Sequence, residues 1–148
     1  MSAIPPEAGE VVNLFKARVP QLASGLVTIR GAVRDPGNRT ILVVSSTDPA
    51  VDSVGACVGN RGAIVKEIVN ELHREYIDIV RWSDSPKTFI TNLLAPVQLS
   101  SISFDDTTHE AIAIVSRGSD MPPADRVTLK SKLLRDLTGW VLRLQMED

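Results

Sequence analysis

The residues of this 148-residue chain that could do chemistry gather at Val58-Gly59-Asn60-Arg61-Gly62-Ala63-Ile64-Val65. Two glycines bracket two polar residues. The small, apolar run Val54-Gly55-Ala56-Cys57 precedes them and an amphipathic stretch follows. Glycine has no Cβ, so another chain can lie almost against its backbone, and it accepts φ > 0 at little cost. The amides that open the next helix sit at its positive dipole end and attract phosphate. Arg61 adds a charge at the tip. The pattern suits a sugar-phosphate backbone laid across a loop.

No second constellation competes with it. His73 and His109 stand in different halves of the chain, and Cys57 is far from both in sequence. HExxH, GxSxG and Walker loops are all missing from the sequence, so an enzyme is not expected. His73 reads as the end of an exposed helix face and His109 as part of a hairpin loop. The single cysteine can form no internal disulfide and no zinc cluster, and it reads as a small packing residue. No catalytic residue, metal or cofactor is expected.

The elements that must position the loop follow from periodicity. Residues 1–6 read as a flexible lead. Val11, Leu14, Phe15 and Val19 are spaced for a helix over Glu7 to Val19, ended by Pro20. Val27, Ile29, Gly31 and Val33 alternate with polar or small residues, a strand of period two. Asp35-Pro36-Gly37-Asn38 is a turn, and Arg39 to Ser46 alternates again, which completes a hairpin. Ser46-Thr47-Asp48-Pro49 breaks the strand and is placed to cap a short helix over Val51 to Val58. Past the glycines, Ile64, Ile68 and Leu72 stack at i, i+4, i+8, with Lys66, Glu67, Asn70 and Glu71 on the other side. Tyr76 to Trp82 is a strand.

The order then repeats. Lys87 to Leu94 reads as a helix, Val97 to Phe104 and Ala111 to Ser116 as strands around the polar loop Asp105 to Glu110. Leu129, Leu133 and Leu137 form a second helical stripe, Gly139 a stop, and Trp140, Leu142 and Leu144 a last strand. The expectation is an α+β chain of two units, residues 1–84 and 85–148, each α-β-β-α-α-β and packed as one rigid body. The window that should carry a second glycine loop, Ala124 to Thr128, has no glycine. Pro122 and Pro123 ahead of it offer no amides, so the second loop reads as degenerate.

Bulk composition is that of a globular protein, 43% hydrophobic and 23% charged. The net charge of −2 argues against binding by overall charge, although a local field can still serve a site. No apolar run approaches the roughly 20 residues that span a bilayer, and Met1 to Pro6 lacks the basic head and apolar core of a signal peptide. A cytoplasmic monomer with no membrane contact is expected.

The residues also carry a resemblance. The run from Ser45 through Asp48-Pro49 to Gly55-Ala56-Cys57-Val58-Gly59 resembles the first KH domain of bacterial NusA transcription factors. Ile68-Val69-Asn70-Glu71-Leu72, Ile77 to Ser83 and Ala95-Pro96 continue it. Leu137-Thr138-Gly139-Trp140 is similar to the end of that family's second KH domain. The resemblance implies two tandem type II KH folds that bind single-stranded RNA and act in transcription elongation, termination and antitermination. Carried over, it implies an RNA site of Gly59, Asn60, Arg61 and Gly62, with Val58 and Val65 as apolar flanks. Ala56 and Cys57 would lie on the approach, leaving room for bases. Lys66, one turn into the helix, would reach a phosphate or stay on a solvated face. Arg30, Arg34 and Arg39 read as surface charges. The family's polymerase-binding and OB-fold domains, which normally precede these units, are not within these residues. Contact with the RNA polymerase elongation complex is therefore expected to be indirect or through those domains. The rival reading is a protein-interaction module on a KH scaffold with little RNA affinity.

Overall fold

A computed structural model describes residues 4–148, so residues 1–3 of the expected lead lie outside the described residues. The chain divides into two compact units, Met1–Trp82 and Ser83–Asp148.

The first unit is built on a three-stranded sheet. β1 (Val27–Asp35) runs antiparallel to β2 (Arg39–Ser46), paired from Val27 with Ser46 to Asp35 with Arg39 and bulged between Ile29 and Gly31. β3 (Tyr76–Arg81) joins β2 in parallel, so β2 is central. This is why residues 40–44 are buried on both faces. The parallel pairing needs a crossover, and α3 (Ser53–Val58) and α4 (Ala63–Glu71) supply it. α1 (Gly9–Arg18) buries Val11, Val12 and Phe15, with Glu10 in its first turn and Lys16 and Arg18 in its last, the signs its dipole favours. The core joins these residues to Leu42, Val44, Cys57 and Ile68.

Two local expectations need correction. Pro20 does not simply stop α1: Val19 turns extended, and Pro20 then opens a short α2 (Pro20–Ala23) as its first residue, a position where its missing N–H and fixed φ fit. The cap of α3 is Asp52, not Ser46 to Pro49. Its Oδ1 accepts from the Gly55 N–H at 3.0 Å, and it also pairs with Arg81 at the end of β3. Together these hold the Asp52 carboxyl below its ordinary range.

A buried carboxylate ties the unit together. Glu75, 1% exposed, lies just before β3. It accepts from Arg34 Nη2 at 2.9 Å and Arg34 Nε at 3.1 and 3.2 Å. It also accepts from the Gly37 N–H at 2.9 Å and from Thr40 Oγ1 at 2.6 Å. Arg34 also donates to Glu10 and to the Glu7 carbonyl. One anion thus joins both hairpin strands, the hairpin turn and the entry to β3, and Arg34 relays it to the N-terminal turn. Arg39 pairs with Asp78 and lies over Tyr76. Arg34 and Arg39 are structural residues, not the surface charges expected.

The second unit has α5 (Pro86–Leu94), capped by Ser85 and burying Phe89, Ile90, Leu93 and Leu94. β4 (Leu99–Asp105) is antiparallel to β5 (Glu110–Val115), and β6 (Val141–Met146) is parallel to β5. The sheet order matches the first unit's. One element of the expected α-β-β-α-α-β order is missing here. Among the described residues, α6 (Ala124–Thr138) is the only helix between β5 and β6. Met121-Pro122-Pro123 explains it, since consecutive prolines can neither donate nor let the preceding residue turn helical. The buried face of α6 is Lys130, Leu133 and Leu134, with Leu129 and Leu137 half-buried at its margins. His109, in the β4–β5 loop, stacks flat on Trp140 with ring centroids 4.1 Å apart.

Candidate nucleic-acid interface

The glycine loop joins α3 to α4. The Gly59 N–H donates to the Gly55 carbonyl at 3.0 Å and closes α3. Asn60–Gly62 form one 3-10 turn, locked by the Gly62 N–H on the Gly59 carbonyl at 3.1 Å and the Ala63 N–H on the Asn60 carbonyl. α4 then starts without a side-chain cap.

The two glycines do different work. Gly59 has φ 82 and ψ 171, a region essentially closed to other residues. A Cβ there would stand 2.7 Å from Ile64 Cγ1 and 2.9 Å from the Ile64 nitrogen. Gly59 is therefore glycine because α4 packs on it. Gly62 is left-handed, φ 75 and ψ 16, but a Cβ there would meet only Lys66 Cε, at 3.7 Å. Gly59→Ala should destabilise the unit by about 3 kcal/mol. Gly62→Ala should cost only the left-handed backbone, about 1–2 kcal/mol. Urea unfolding of the two variants checks the ranking.

Arg61, between them, is also left-handed at φ 56 and ψ 31, so its exposed side chain leaves the loop at a fixed angle. Helical side chains lean toward the helix N-terminus, and Lys66 follows that rule, which brings its Cε beside Gly62. The acidic residues of α4 are engaged elsewhere. Arg18 of α1 donates to Glu67 at 3.1 Å and also to Glu71. The loop end of α4 therefore presents Arg61 and Lys66 as its cations.

The apolar candidates separate. Val58, Ala56 and Val65 are half-buried, and Ala56 and Val65 also pack on the core. Cys57 is fully buried. Burial pushes its thiol up to about 11, so it stays protonated and inert at neutral pH. It packs beneath the approach and cannot line it, which corrects its place in the expected site. Arg30 lies over Trp82, 4.7 Å from the ring centroid. The sequence reading missed Asp52, although an aspartate three residues before an amide-bearing glycine is an N-cap signal. The Ala124–Thr128 window is not a loop at all. It forms the opening turns of α6, with Asp125 in the first.

Residues 7–82 match the family described as NusA-like first KH domain. Two curated relatives are both named transcription termination/antitermination protein NusA, one from Rickettsia conorii and one from Rickettsia prowazekii. Each is 36% identical over 141 residues, covering 93% of this chain and 28% of its own length. The chain therefore spans under a third of the length of those relatives. The crystal structure of APE1850 aligns with a TM-score of 0.66 over 93% of this chain and 96% of its own, at 20% identity. That likeness speaks for the α+β fold alone. With the glycine loop inside the matched residues, the chain belongs to the family of NusA-like first KH domains.

Proposed function

We propose that the first unit binds single-stranded RNA through Gly59, Asn60, Arg61 and Gly62, and that this binding serves the regulation of transcription elongation, termination or antitermination. The observation that carries the reading is the loop's surface: the open left-handed Gly62 lies between the cations Arg61 and Lys66. Gly62 lets a ribose-phosphate approach the backbone. Arg61 and Lys66 take phosphates, and Val58, Ala56 and Val65 offer apolar surface to the bases. KH loops of this kind clamp about four nucleotides. The assignment of residues 1–84 as the gripping domain and 85–148 as a second KH domain with a degenerate loop belongs to the same reading. So do a monomeric chain in the cytoplasm and an RNA polymerase elongation complex as the wider partner. Among the described residues, no helix is long and apolar enough to cross a membrane.

Fluorescence anisotropy with a labelled single-stranded RNA, repeated across sodium chloride concentrations, tests the proposal. Each phosphate contact should contribute a slope of about −0.7 in log K against log salt. Absence of salt-dependent binding would favour the interaction-module reading. The same titration checks the second unit: Asp125→Ala with Arg126→Ala should change RNA affinity by well under tenfold, about 1.4 kcal/mol. Residues 124–128 are the opening turns of α6 and hold no glycine to let a ribose-phosphate lie against the backbone. A large loss, with affinity still climbing on longer oligonucleotides, would move half of the grip to the second unit.

A further inference from the structure

β6 is the last strand of its sheet and pairs only with β5. The Val141 and Glu147 N–H groups donate to the His109 and Val115 carbonyls, so the odd residues of this stretch turn their backbone toward β5. In a parallel pair the residues between them point the other way. Leu142, Leu144 and Met146 therefore turn their N–H and C=O groups outward, where the sheet has no further strand. Native edge strands are usually blunted by a bulge, a proline, a charge or a cover. β1 and β4, the antiparallel edges, each carry a bulge. β3 has α3 against it, with the Asp52–Arg81 pair across its end. β6 has none of these. Its pairing with β5 runs without a register shift, it holds no proline or glycine, and Arg143, its one charge, is turned back to Glu110 at 3.3 Å. Val141 and Met146, at its two ends, are 44% and 47% exposed.

We propose that β6 pairs antiparallel with β6 of a second copy of this chain, about a two-fold axis at Leu144, and joins two three-stranded sheets into one. The free backbone groups choose both the occupant and the register. Opposite residues must share a face of the sheet, and only the outward residues can exchange bonds. Setting Leu144 opposite the partner's Leu144 places Leu142 opposite the partner's Met146. All three outward residues then exchange two hydrogen bonds each with the residue opposite. A shift by two residues leaves Met146 or Leu142 with no strand residue opposite it. The side chains agree with this register. Leu142, Leu144 and Met146 share the face of the buried Ala111, Ala113 and Val115, so apolar meets apolar along it. On the other face Arg143, already paired with Glu110, stands opposite the partner's Gln145, and no like charges are directly opposed. One strand pair about 20 Å long buries less than the roughly 1,200 Å² of stable interfaces. The pairing is therefore weak, and the dilute chain stays single.

Sedimentation equilibrium of the full chain at concentrations up to about 1 mM tests this. The average mass should climb from one chain toward two as concentration rises. Met146→Pro removes an outward N–H and no bond to β5, a position where an edge strand tolerates proline. It should raise the dissociation constant at least tenfold, with circular dichroism verifying the fold of each variant. The register has its own readout. Cys57 is buried, and a hydrogen-bonded antiparallel pair holds its Cα atoms about 5.5 Å apart, within disulfide range. Leu144→Cys should therefore give a disulfide-linked pair on oxidation, whereas Val141→Cys, opposite Glu147 of the partner subunit, should not. Asn60→Asp with Arg61→Asp should leave the pairing unchanged, which separates this edge from the glycine loop. The proposal is overturned if the mass stays that of one chain throughout, if Met146→Pro associates like the parent, if the loop variant associates less, or if Val141→Cys cross-links as readily as Leu144→Cys. It is equally overturned if Met146→Pro weakens oligouridylate binding while the mass curve stays that of the parent, which would give this edge to RNA.

Discussion

Glu75→Gln should destabilise the first unit by about 3–5 kcal/mol, the range for removing one member of a buried ion pair. The loss exceeds that of a surface pair because three groups, the Arg34 guanidinium, the Gly37 amide and the Thr40 hydroxyl, converge on this carboxylate. Without its charge and second acceptor oxygen, the Arg34 guanidinium loses its bidentate partner. The Thr40 hydroxyl and Gly37 amide must then compete for the remaining oxygen. Burial alone would raise the Glu75 carboxyl. The hydrogen bonds from Arg34, Thr40 and Gly37, and the charge of Arg34, outweigh it and hold the group below its ordinary value of about 4.5. The sign of the pH dependence follows. A carboxyl lowered in the folded state gives stability that is fully present above its unfolded value and lost as pH falls through the folded one. Chemical denaturation at neutral pH should therefore show the full difference between parent and variant, and the difference should shrink in acid below that value. A variant within 1 kcal/mol of the parent at neutral pH would contradict the role given to Glu75.

Asn60→Asp with Arg61→Asp should weaken RNA binding by at least a hundredfold, about 2.7 kcal/mol, while the melting curve stays that of the parent. Both side chains are exposed, so packing does not change. Aspartate also tolerates the left-handed backbone at position 61 better than most residues. What changes is the field: one cation is removed and two anions are placed on the path of a phosphate backbone, and Lys66 remains as the one cation beside Gly62. Anisotropy at low salt reads the loss most clearly, because screening there is weakest. Equal affinity of variant and parent would remove the loop from the binding site.

Much of this architecture was legible because its signals are local. Alternation from Val27 to Val33, the Asp35-Pro36-Gly37-Asn38 turn and the run from Thr40 to Val44, β-branched except for Leu42, specify the hairpin from adjacent residues. The stripe Ile64, Ile68 and Leu72 specifies α4 in the same way. The failures share the opposite property. Glu75 and Arg34 are 41 residues apart, and no periodicity marks a carboxylate whose partners arrive only when the sheet closes. Arg39 looked like a surface charge for the same reason, since Asp78 reaches it only across the parallel pairing of β2 with β3. Cys57 sits among small residues that suggested an open approach. Yet its place on α3 turns it inward, and a six-residue helix carries too little periodicity to show which side is inside. At the glycines the sequence marked a loop but could not divide the labour. The contact between Gly59 and Ile64 exists only in three dimensions.

The placement of the two tryptophans gives the chain a built-in pair of optical reporters. Trp82 closes the first unit under the Arg30 guanidinium. Trp140 belongs to the second and is stacked on His109 and tilted against Phe104, at centroid distances of 4.1 and 4.8 Å. Each indole thus has a different neighbour that can perturb its emission, and each neighbour is lost only when that indole's own unit melts. Replacing either tryptophan by phenylalanine leaves a chain whose ultraviolet fluorescence follows one unit alone, so the order in which the halves lose structure can be read without an external dye.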